Sequence, residues 1–478
     1  MLWPGGARDL PRGLRGLALL SALLGLTVAV PAATPTASAD VTITLDGHGY
    51  GHGYGLSQWG AYGYAVDHRW SSAQILDHYY GGTVAGAVPT NTMITVRLQA
   101  LDDAQTAVVS ASGGLLVDGV GGVGVPWKSV VVRETSQGVY SVWARTDAQV
   151  CPSTGSLSAP WTLVKSGAAP SVTISTQSDS NLATDYGSLL SVCAPDGSLR
   201  AYRGSIRAIN GSSNENRTVN EVSVEQYLRS VIAKEMSPGW ADDGDGRGAQ
   251  ALQAQAVAAR SYGLAENRYT YSKTCDSTAC QAYYGTATRA SVGASFVAVE
   301  HVWTDAAVLA TAGIVRRVGT VDGPISYTWF AASSGGYTDA GPSALAPFTP
   351  VYDDGDDTAL NPNHNWSVVV TGSAISAKYP EIGTFTSLTV LTRNGLGEWG
   401  GRVDTIRITG TATSITKSGD DFRSKMGLKS NWYNVRGSPQ FDLCPITGPP
   451  PVVPTVGVVT TAADPSMPAV RCMEFFAA

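Results

Sequence analysis

Short runs of alternating apolar and polar residues fill the part of the chain between about residues 90 and 220. Three of them read MITVRL, SVVVRE and VYSVWAR, and residues of the turn-forming types Gly, Ser and Asp separate the runs. A period of two residues in short runs bounded by such turns is typical of β-strands. This pattern predicts a β-rich domain at 89–220.

A helical period replaces this alternation in residues 223–240, SVEQYLRSVIAKEMSPGW. Ser223, followed by Gln226 three residues later, predicts a helix start with a capping box. Ser237-Pro238 predicts the helix end, because the residue before proline avoids the helical conformation. Five apolar positions form a stripe at helical spacing: Val224, Tyr227, Leu228, Val231 and Ile232.

Residues 249–269, AQALQAQAVAARSYGLAENRY, predict a second helix beside the first. Its many alanines would let another backbone approach closely. Arg260 and Tyr262 are polar groups on this helix of small residues, and the simplest interpretation of Arg260 is a solvated side chain. Residues 221–265 are the only strong helical stretch in the sequence.

Glu235 lies on the apolar stripe of the first helix, four residues after Val231 and seven after Leu228. Its carboxylate is therefore predicted to point from the last helical turn toward the buried side. Desolvation and the negative end of the helix dipole both raise the pKa of such a carboxyl. A raised pKa suits a general acid near neutral pH. The alternative is a glutamate that reaches past the helix end into water, or that pairs with Lys or Arg.

Residues 46–60, DGHGYGHGYGLSQWG, have no hydrophobic face that a helix or strand could bury. Glycine loses the most conformational entropy on ordering, so a metal, a ligand or the rest of the fold must stabilise this stretch. His48 and His52 lie on a glycine loop, and no nearby cysteine or carboxylate pair completes a zinc set. The acidic stretches DDGDGRG (242–248) and DDGDD (353–357) are interpreted as solvated insertions.

The first 39 residues have the pattern of a signal peptide. Basic residues precede an apolar run at 17–30, and Ala-Ser-Ala at 37–39 forms a cleavage site. The run is short for a membrane-spanning helix, which favours cleavage over the alternative, a retained membrane anchor. The mature protein is therefore predicted to be exported, with no stable membrane insertion after cleavage.

Export makes the six cysteines candidates for disulfides. Many pairings are open, and sequence neighbourhood favours 151–193, 275–280 and 444–472. A disulfide within CDSTAC (275–280) is favoured over a zinc site, and no metal or cofactor is expected. A net charge of -6 without a dense basic stripe argues against a nucleic-acid partner.

The two helical stretches carry a resemblance to a known family. VEQYLRSVIAKEMSPGW followed by ALQAQAVAARSYGL resembles the signature of the SpoIID/LytB family, named after stage II sporulation protein D. The resemblance continues at CQAYYG (280–285), at ISYTWFAASSGGYT (325–338) and through residues 401–435. It covers roughly residues 200–440.

The Gly-His stretch also resembles a segment of this family. In the family a similar segment ends the domain, whereas GHGYGHGYGLSQWGA and ILDHYYGGT here precede everything else in the mature chain. This order resembles a circular permutation, which keeps the fold if the chain ends lie close together. The segment is then expected to dock beside the helix carrying Glu235, near residues 430–442, and to bring His52, Ser57 and Gln58 to a sugar cleft.

The predicted fold is α+β, β-rich and multi-lobed, with a small helical pair carrying the catalytic glutamate and the glycine-rich segment packed on the catalytic domain in permuted order. The predicted organisation is a signal peptide (1–39), the Gly-His segment (40–88), a β-rich domain (89–220), a catalytic domain (221–444) and a Pro-rich tail (445–478).

The resemblance implies a peptidoglycan lytic transglycosylase, secreted or held in the cell wall, with Glu235 as its acid/base residue. Motif position implies that Arg260, Tyr262, Gln281, Tyr283 and Ser334 orient the sugars or tune the glutamate. The family's serine before Gln-x-Tyr is Cys280 here, which weakens the match. The rival interpretation is a non-catalytic amidase enhancer that binds the wall and stimulates a peptidoglycan amidase. A structural cell-surface protein is a third.

Overall fold

The computed structural model describes residues 40–437, except 113, 121–126, 181–183 and 212–214. The predicted signal peptide, the Pro-rich tail and the Cys444–Cys472 pair lie outside the described residues. No helix within the described part of the chain is both long and apolar enough to cross a membrane.

The described residues form eight α-helices and 24 β-strands. The helices are α1 (Gln58–Val66), α2 (Ser72–Tyr79), α3 (Val224–Glu235), α4 (Asp243–Gly246), α5 (Ala249–Ala265), α6 (Val302–Ala310), α7 (Gly372–Lys378) and α8 (Gly419–Met426). The first twelve strands are β1 (Thr42–His48), β2 (Leu56–Ser57), β3 (Thr83–Ala87), β4 (Met93–Arg97), β5 (Thr106–Val109), β6 (Leu115–Val117), β7 (Ser129–Ser136), β8 (Val139–Arg145), β9 (Thr162–Ala168), β10 (Ser171–Thr176), β11 (Leu190–Cys193) and β12 (Leu199–Tyr202). The other twelve are β13 (Ser205–Asn210), β14 (Asn216–Ser223), β15 (Thr274–Cys275), β16 (Ala287–Arg289), β17 (Val297–Ala298), β18 (Ile314–Val318), β19 (Phe330–Ala331), β20 (Asn365–Thr371), β21 (Phe385–Arg393), β22 (Val403–Gly410), β23 (Ser414–Ser418) and β24 (Tyr433–Val435).

The strands form two large sheets and four small ones. One large sheet has the order β15-β4-β14-β13-β10-β6, and the other has the order β17-β16-β12-β11-β5-β7-β8-β9. The small sheets are β20-β1-β24, β21-β22-β23, β18-β3 and β19-β2. The predicted α+β, β-rich and multi-lobed class is confirmed, and the described strands form no closed barrel.

Helix α5 is the centre of the helical layer, and it packs against α1, α2, α3, α6 and β18. Thirteen of its 17 residues are buried. Its alanines permit this because a small side chain lets a neighbouring backbone approach from every side. All five stripe residues of α3 are fully buried as well, so the helical pair predicted from periodicity is confirmed.

The Gly-His segment is built into the fold by pairing with distant strands. Strand β1 lies between β20 and β24, and β2 pairs in parallel with β19. Within these sheets Gly47 is opposite Tyr433 on one side and Trp366 on the other. Helix α1 then packs on α5. These contacts offset the entropic cost of ordering the glycines, and they bring the segment beside residues 433–435 as expected.

Three sequence predictions are corrected by the local structure. Strand β1 and helix α1 both reach into residues 46–60, which had no predicted element. Helices also form well outside 221–265, in α2, α6, α7 and α8. Ser223 does precede α3, but its side chain makes no capping hydrogen bond. The complete capping box is at Ser71 and Gln74, before α2.

The boundaries predicted at 88/89 and 220/221 stay predictions. Strand β14 runs across the second of them, pairs with β4, and leads directly into α3. The helix carrying Glu235 is therefore a covalent continuation of the six-stranded sheet.

Candidate active site

A cavity of about 750 Å³ lies at the C-terminal end of α3. It is lined by Tyr50, His52, Gln58, Lys234, Glu235, Tyr262, Thr278, Ala279, Cys280, Ala282, Tyr284, Trp329, Phe330, Ala331 and Ala332. Of the residues assigned to the site from sequence, the structure brings Glu235, Gln58, His52 and Tyr262 to this one surface.

Glu235 is the last residue of α3, and Met236 after it already has an extended conformation. The backbone N–H of Ala282 donates a hydrogen bond of 2.8 Å to its Oε1. The Gln58 side chain also forms a hydrogen bond to this carboxylate. One partner comes from the loop after the Cys275–Cys280 disulfide and the other from α1, so three distant parts of the sequence meet here.

Burial raises the pKa of Glu235, because desolvation disfavours the charged form. The two hydrogen bonds act in the opposite direction, since each of them stabilises the carboxylate. Desolvation is the largest cause, and the pKa remains above its ordinary value. The negative end of the helix dipole adds to the rise. The site therefore holds a carboxyl that keeps its proton to higher pH than an ordinary glutamate and is stabilised once it has given the proton up.

Gln58 reaches the carboxylate because of the way α1 begins. Ser57 is the N-cap of α1, and its hydroxyl oxygen accepts a 3.0 Å hydrogen bond from the N–H of Gly60. The same hydroxyl donates a 2.7 Å hydrogen bond to the buried Asp356. The expectation that Ser57 lines the sugar cleft is therefore wrong. Its side chain is buried, and both hydrogen bonds of its hydroxyl go to protein groups, which fixes the position of Gln58.

His52 is held neutral at the cavity surface. Burial, with the nearby Arg402 as the next cause, lowers its pKa to about 4. Its Nδ1 accepts a 3.0 Å hydrogen bond from the N–H of Tyr54, and its ring stacks on the Tyr54 ring at 4.9 Å. Gly53 beside it has φ +85, and a Cβ there would lie 2.5 Å from the Arg402 guanidinium. Glycine is thus required for this loop to close over the buried arginine.

Aromatic side chains line much of the remaining cavity. Tyr50 and Tyr284 are exposed there, and Trp329 and Phe330 precede the floor residues Ala331 and Ala332. Tyr262 packs edge-to-face against Trp329 at 5.4 Å. Flat apolar faces beside polar groups suit the stacking of sugar rings. Only Tyr262 of this group was assigned from sequence. The richness of residues 325–338 in aromatic side chains was the signal for Trp329 and Phe330, whereas Tyr50 lies in the Gly-His stretch and Tyr284 in CQAYYG.

Arg260 does not reach the cavity. Its side chain is 0% exposed, and its guanidinium pairs with Glu225, with Nε and Nη2 donating at 2.9 and 2.7 Å to the two carboxylate oxygens. Its interpretation as a substrate contact is corrected, and so is the alternative of a solvated side chain. A wholly buried guanidinium needs a carboxylate partner inside the protein, and Glu225 in the first turn of α3 supplies it.

Three further side chains that were predicted to orient the sugars or tune the glutamate also form hydrogen bonds within the protein. Gln281 accepts a 2.9 Å hydrogen bond from the Tyr227 hydroxyl, and Tyr283 donates a 2.7 Å hydrogen bond to Asn220. The Ser334 hydroxyl donates to Asp353 at 2.7 Å. All of the three predicted side chains are buried and absent from the cavity lining. They support the loops that carry Ala282 and Ala331, and their side chains do not reach the surface of this cavity.

The acidic stretch at 353–357 is a structural element that sequence reasoning missed. Asp353 and Asp356 are 0% exposed, so the interpretation as a solvated insertion is wrong. Asp353 accepts hydrogen bonds from Tyr79 and Ser334, and Asp356 accepts from Ser57 and Ser333. Burial raises the pKa of Asp353 to about 8. The hydroxyl-rich motifs at 57 and 333–334 were the sequence signal for such buried acceptors.

Two of the predicted disulfides are confirmed, Cys151–Cys193 and Cys275–Cys280. The second borders the cavity, which Cys280 lines. Within the described ranges, no three or more His, Cys, Asp and Glu side chains are grouped so that they could hold a metal ion.

The comparison with family models supports the resemblance seen in the motifs. Residues 212–317 match the model described as SpoIID, stage II sporulation protein. The chain thus carries a SpoIID-family region that contains α3, α5 and Glu235, and the predicted resemblance to this family is confirmed for that region. The motifs at 47–83, 325–338 and 401–435 lie outside this match. Neither the curated proteins nor the solved structures contain a match to the chain.

Proposed function

We propose that the protein is an exported peptidoglycan lytic transglycosylase that cleaves the β-1,4 bond between N-acetylmuramic acid and N-acetylglucosamine. The observation that carries this proposal is Glu235, a partly buried carboxyl with a raised pKa at the surface of an aromatic cavity. The SpoIID region around it supports a role at the cell wall.

Glu235 is the only carboxylate among the described residues that line the cavity. A glycosidase that uses water needs two carboxyl groups, one as acid and one as base or nucleophile. A transglycosylase that uses the sugar's own C6 hydroxyl needs only one acid/base group. The composition of the cavity therefore favours the second route.

In the proposed mechanism the protonated Glu235 donates its proton to the glycosidic oxygen as the bond from C1 to that oxygen breaks. The cation that develops at C1 is attacked by the C6 hydroxyl of the same sugar. The Glu235 carboxylate takes the hydroxyl proton, which restores the acid and gives a 1,6-anhydro end. The N–H of Ala282 and the Gln58 side chain stabilise the carboxylate between the two steps.

Export and a location in the cell wall are part of this proposal. The basic residues, apolar run and Ala-Ser-Ala of 1–39 support a cleaved signal peptide. The two disulfides agree with an oxidising compartment.

The test is digestion of purified glycan strands by the wild type and by Glu235→Gln. The amide keeps the shape of the side chain but has no proton to donate, so cleavage should fall by a factor of about 10² to 10⁴. Glu381→Gln, at an exposed glutamate outside the cavity, is the matched control and should cut normally. Full activity of a folded Glu235→Gln protein would falsify the role of Glu235.

An amidase enhancer remains the second candidate, because an aromatic cavity can bind glycan without cutting it. The two functions differ in the Glu235→Gln variant. If the wild type cuts no strand, and both proteins stimulate a peptidoglycan amidase equally, the enhancer interpretation replaces the enzyme.

A further inference from the structure

A second cavity, of about 390 Å³, is lined in part by the same Gly-His segment as the candidate active site. We call it the His48 cavity. It is lined by His48, Gly335, Gly336, Tyr337, Tyr352, Asp353, Asp354, Asp357, His364, Asn365, Gly397, Glu398 and Trp432. His52, which lines the first cavity, follows His48 by four residues. The Cα atoms of these histidines are therefore at most about 14 Å apart, the length of the extended chain.

The ionisable groups of the His48 cavity are acidic or histidine. Asp353, Asp354, Asp357 and Glu398 contribute carboxyl groups, and no Lys or Arg is among the described residues that line it. Asp354, Asp357 and Glu398 are exposed at 55%, 73% and 63%. Burial lowers the pKa of His364, but the adjoining Asp356 and Asp357 raise it by more, so this ring adds positive charge, and the three exposed carboxylates outnumber it. An excess of one sign of charge in a cleft attracts ligands of the opposite sign. Tyr337, Tyr352 and Trp432 add aromatic faces, which also attract cations.

His48 provides an independent sign that a ligand group belongs here. It is only 6% exposed, and within the described part of the chain neither ring nitrogen has a well-aligned hydrogen-bond partner. Its Nε2 lies 3.2 Å from a carboxylate oxygen of the exposed Glu398. Burial lowers the pKa of His48, which favours the neutral ring, and a neutral imidazole carries one N–H and one lone pair. A buried polar atom without a partner costs free energy, which a ligand donor would recover.

The surroundings of His48 are fixed by packing. Its ring lies 4.3 Å from the Trp399 ring and 5.0 Å from the Trp432 ring. The indole N–H of Trp432 donates a 3.0 Å hydrogen bond to the carbonyl of Glu398. Gly397 has φ +78, and a Cβ there would lie 2.6 Å from the Trp432 ring. The His48 ring and the backbone that carries Glu398 are thus held in place by packing.

An ammonium group is the ligand that complements these features. It has three N–H donors and no acceptor, and the cavity offers carboxylates, a histidine lone pair and aromatic faces. A metal ion is less suited, because no grouping of three or more acidic, His or Cys side chains in the described ranges has the arrangement to hold one.

We propose that the His48 cavity binds a primary ammonium group carried by the glycan strand that enters the active site. This identification of the ligand rests on the proposed function. Two sources carry the same chemistry: the side-chain amine of a diamino acid in the peptide stem, and the free amine of a de-N-acetylated amino sugar. The cavity would then select strands that carry such a group.

The test is calorimetric binding to the full chain carrying Glu235→Gln, so that no probe is cut. One pair of probes is a muramyl peptide with a free side-chain amine and the same peptide with that amine acetylated. The other pair is a glucosamine oligomer and an N-acetylglucosamine oligomer. In at least one pair the free amine should bind about tenfold more tightly, as expected for a charge-assisted contact.

Asp357→Asn combined with Glu398→Gln should abolish this preference, while Asp322→Asn, an exposed carboxylate outside both cavities, should keep it. All three positions are exposed, and thermal unfolding verifies that each variant is folded. Equal binding of free and acetylated probes in both pairs overturns the proposal, and so does displacement of the amine probes by stoichiometric Ca²⁺.

The proposed function and the proposed ammonium site can fail separately. A wild type that cuts no glycan but prefers amines refutes only the function, and one that cuts without preference refutes only this site.

Discussion

One part of the active-site cavity comes from α3 and the α5 helix beside it, and another part comes from the Gly-His segment. The helical part is held by apolar packing, with the α3 stripe and most of α5 buried. The glycine-rich part is held by buried polar contacts to residues far along the chain. Ser57 bonds Asp356, and Arg402 donates to the carbonyls of Gly51 and Ser334. Local pattern therefore specifies the first part, whereas the second is specified only by the complete fold.

The largest expected effect comes from breaking the buried ion pair between Glu225 of α3 and Arg260 of α5, in the helical part. Glu225→Ala leaves the wholly buried Arg260 guanidinium without its carboxylate, which should lower the free energy of unfolding by about 3–5 kcal/mol. Denaturant unfolding measures the change. Glu381→Ala removes an exposed ion pair with Lys417 and should cost less than about 1 kcal/mol. Equal losses in the two variants would show that the Glu225 pair is not the anchor inferred here.

The close contact between α1 and residues 354–357 should be nearly as sensitive. In Gly63→Ala the new Cβ would lie 2.0 Å from the backbone carbonyl oxygen of Gly355. Alanine favours the helix by about 1 kcal/mol, but overpacking against backbone costs about 1–3 kcal/mol or more, so a net loss of stability is expected. Gly81→Ala, where a Cβ meets nothing within 4 Å, is the control for thermal unfolding. A stabilised Gly63→Ala protein would contradict the packing described for α1.

A smaller effect is expected from the N-cap that positions Gln58. Ser57→Ala removes the cap of α1 and leaves Asp356 without one of its buried donors, at a cost of about 1–3 kcal/mol. Ser71→Ala removes the exposed cap of α2, at a cost of about 1 kcal/mol. Urea unfolding compares the two variants. A larger loss of stability in Ser71→Ala than in Ser57→Ala would show that the buried Ser57–Asp356 contact stabilises the protein no more than an exposed cap does.

The smallest change concerns the pH profile of the proposed reaction. Gln58→Met keeps the length of the side chain but removes a donor that lowers the pKa of Glu235. The pKa of Glu235 should rise, so the acid form persists to higher pH and the alkaline limb of kcat/KM moves upward. Gln74→Met, in the exposed capping box of α2, is the control. An alkaline limb that stays in place or moves downward would show that Gln58 does not lower the pKa of Glu235.

The sequence allowed the helical part of the site to be predicted because its information is local. Val224 to Ile232 repeat with the helical period, and Glu235 extends the same stripe to the cavity. The pKa direction of Glu235 followed from that placement alone, and burial proved to be its largest cause. Only the two hydrogen bonds that oppose the rise could not be foreseen, because Ala282 and Gln58 are brought there by tertiary structure.

The residues around this centre were harder to assign, because motif position does not say which way a side chain points. Arg260, Gln281, Tyr283 and Ser334 all lie in the expected motifs, yet each bonds a protein group. Asp353 was misjudged because acidic residues next to glycine are usually solvated. Its burial depends on hydroxyl donors from Tyr79 and Ser334, which are far away in sequence.

The central claim is that one carboxyl, Glu235, cleaves glycan with the sugar's own C6 hydroxyl as nucleophile. Mass analysis of the ends released from purified glycan strands by the wild-type protein tests it most directly. The single carboxylate of the cavity predicts that all new muramic ends are 1,6-anhydro ends, lighter than hydrolysed ends by one water. Reducing ends that carry oxygen from labelled water would contradict the claim, because water would then need a second carboxyl that the cavity lining does not provide.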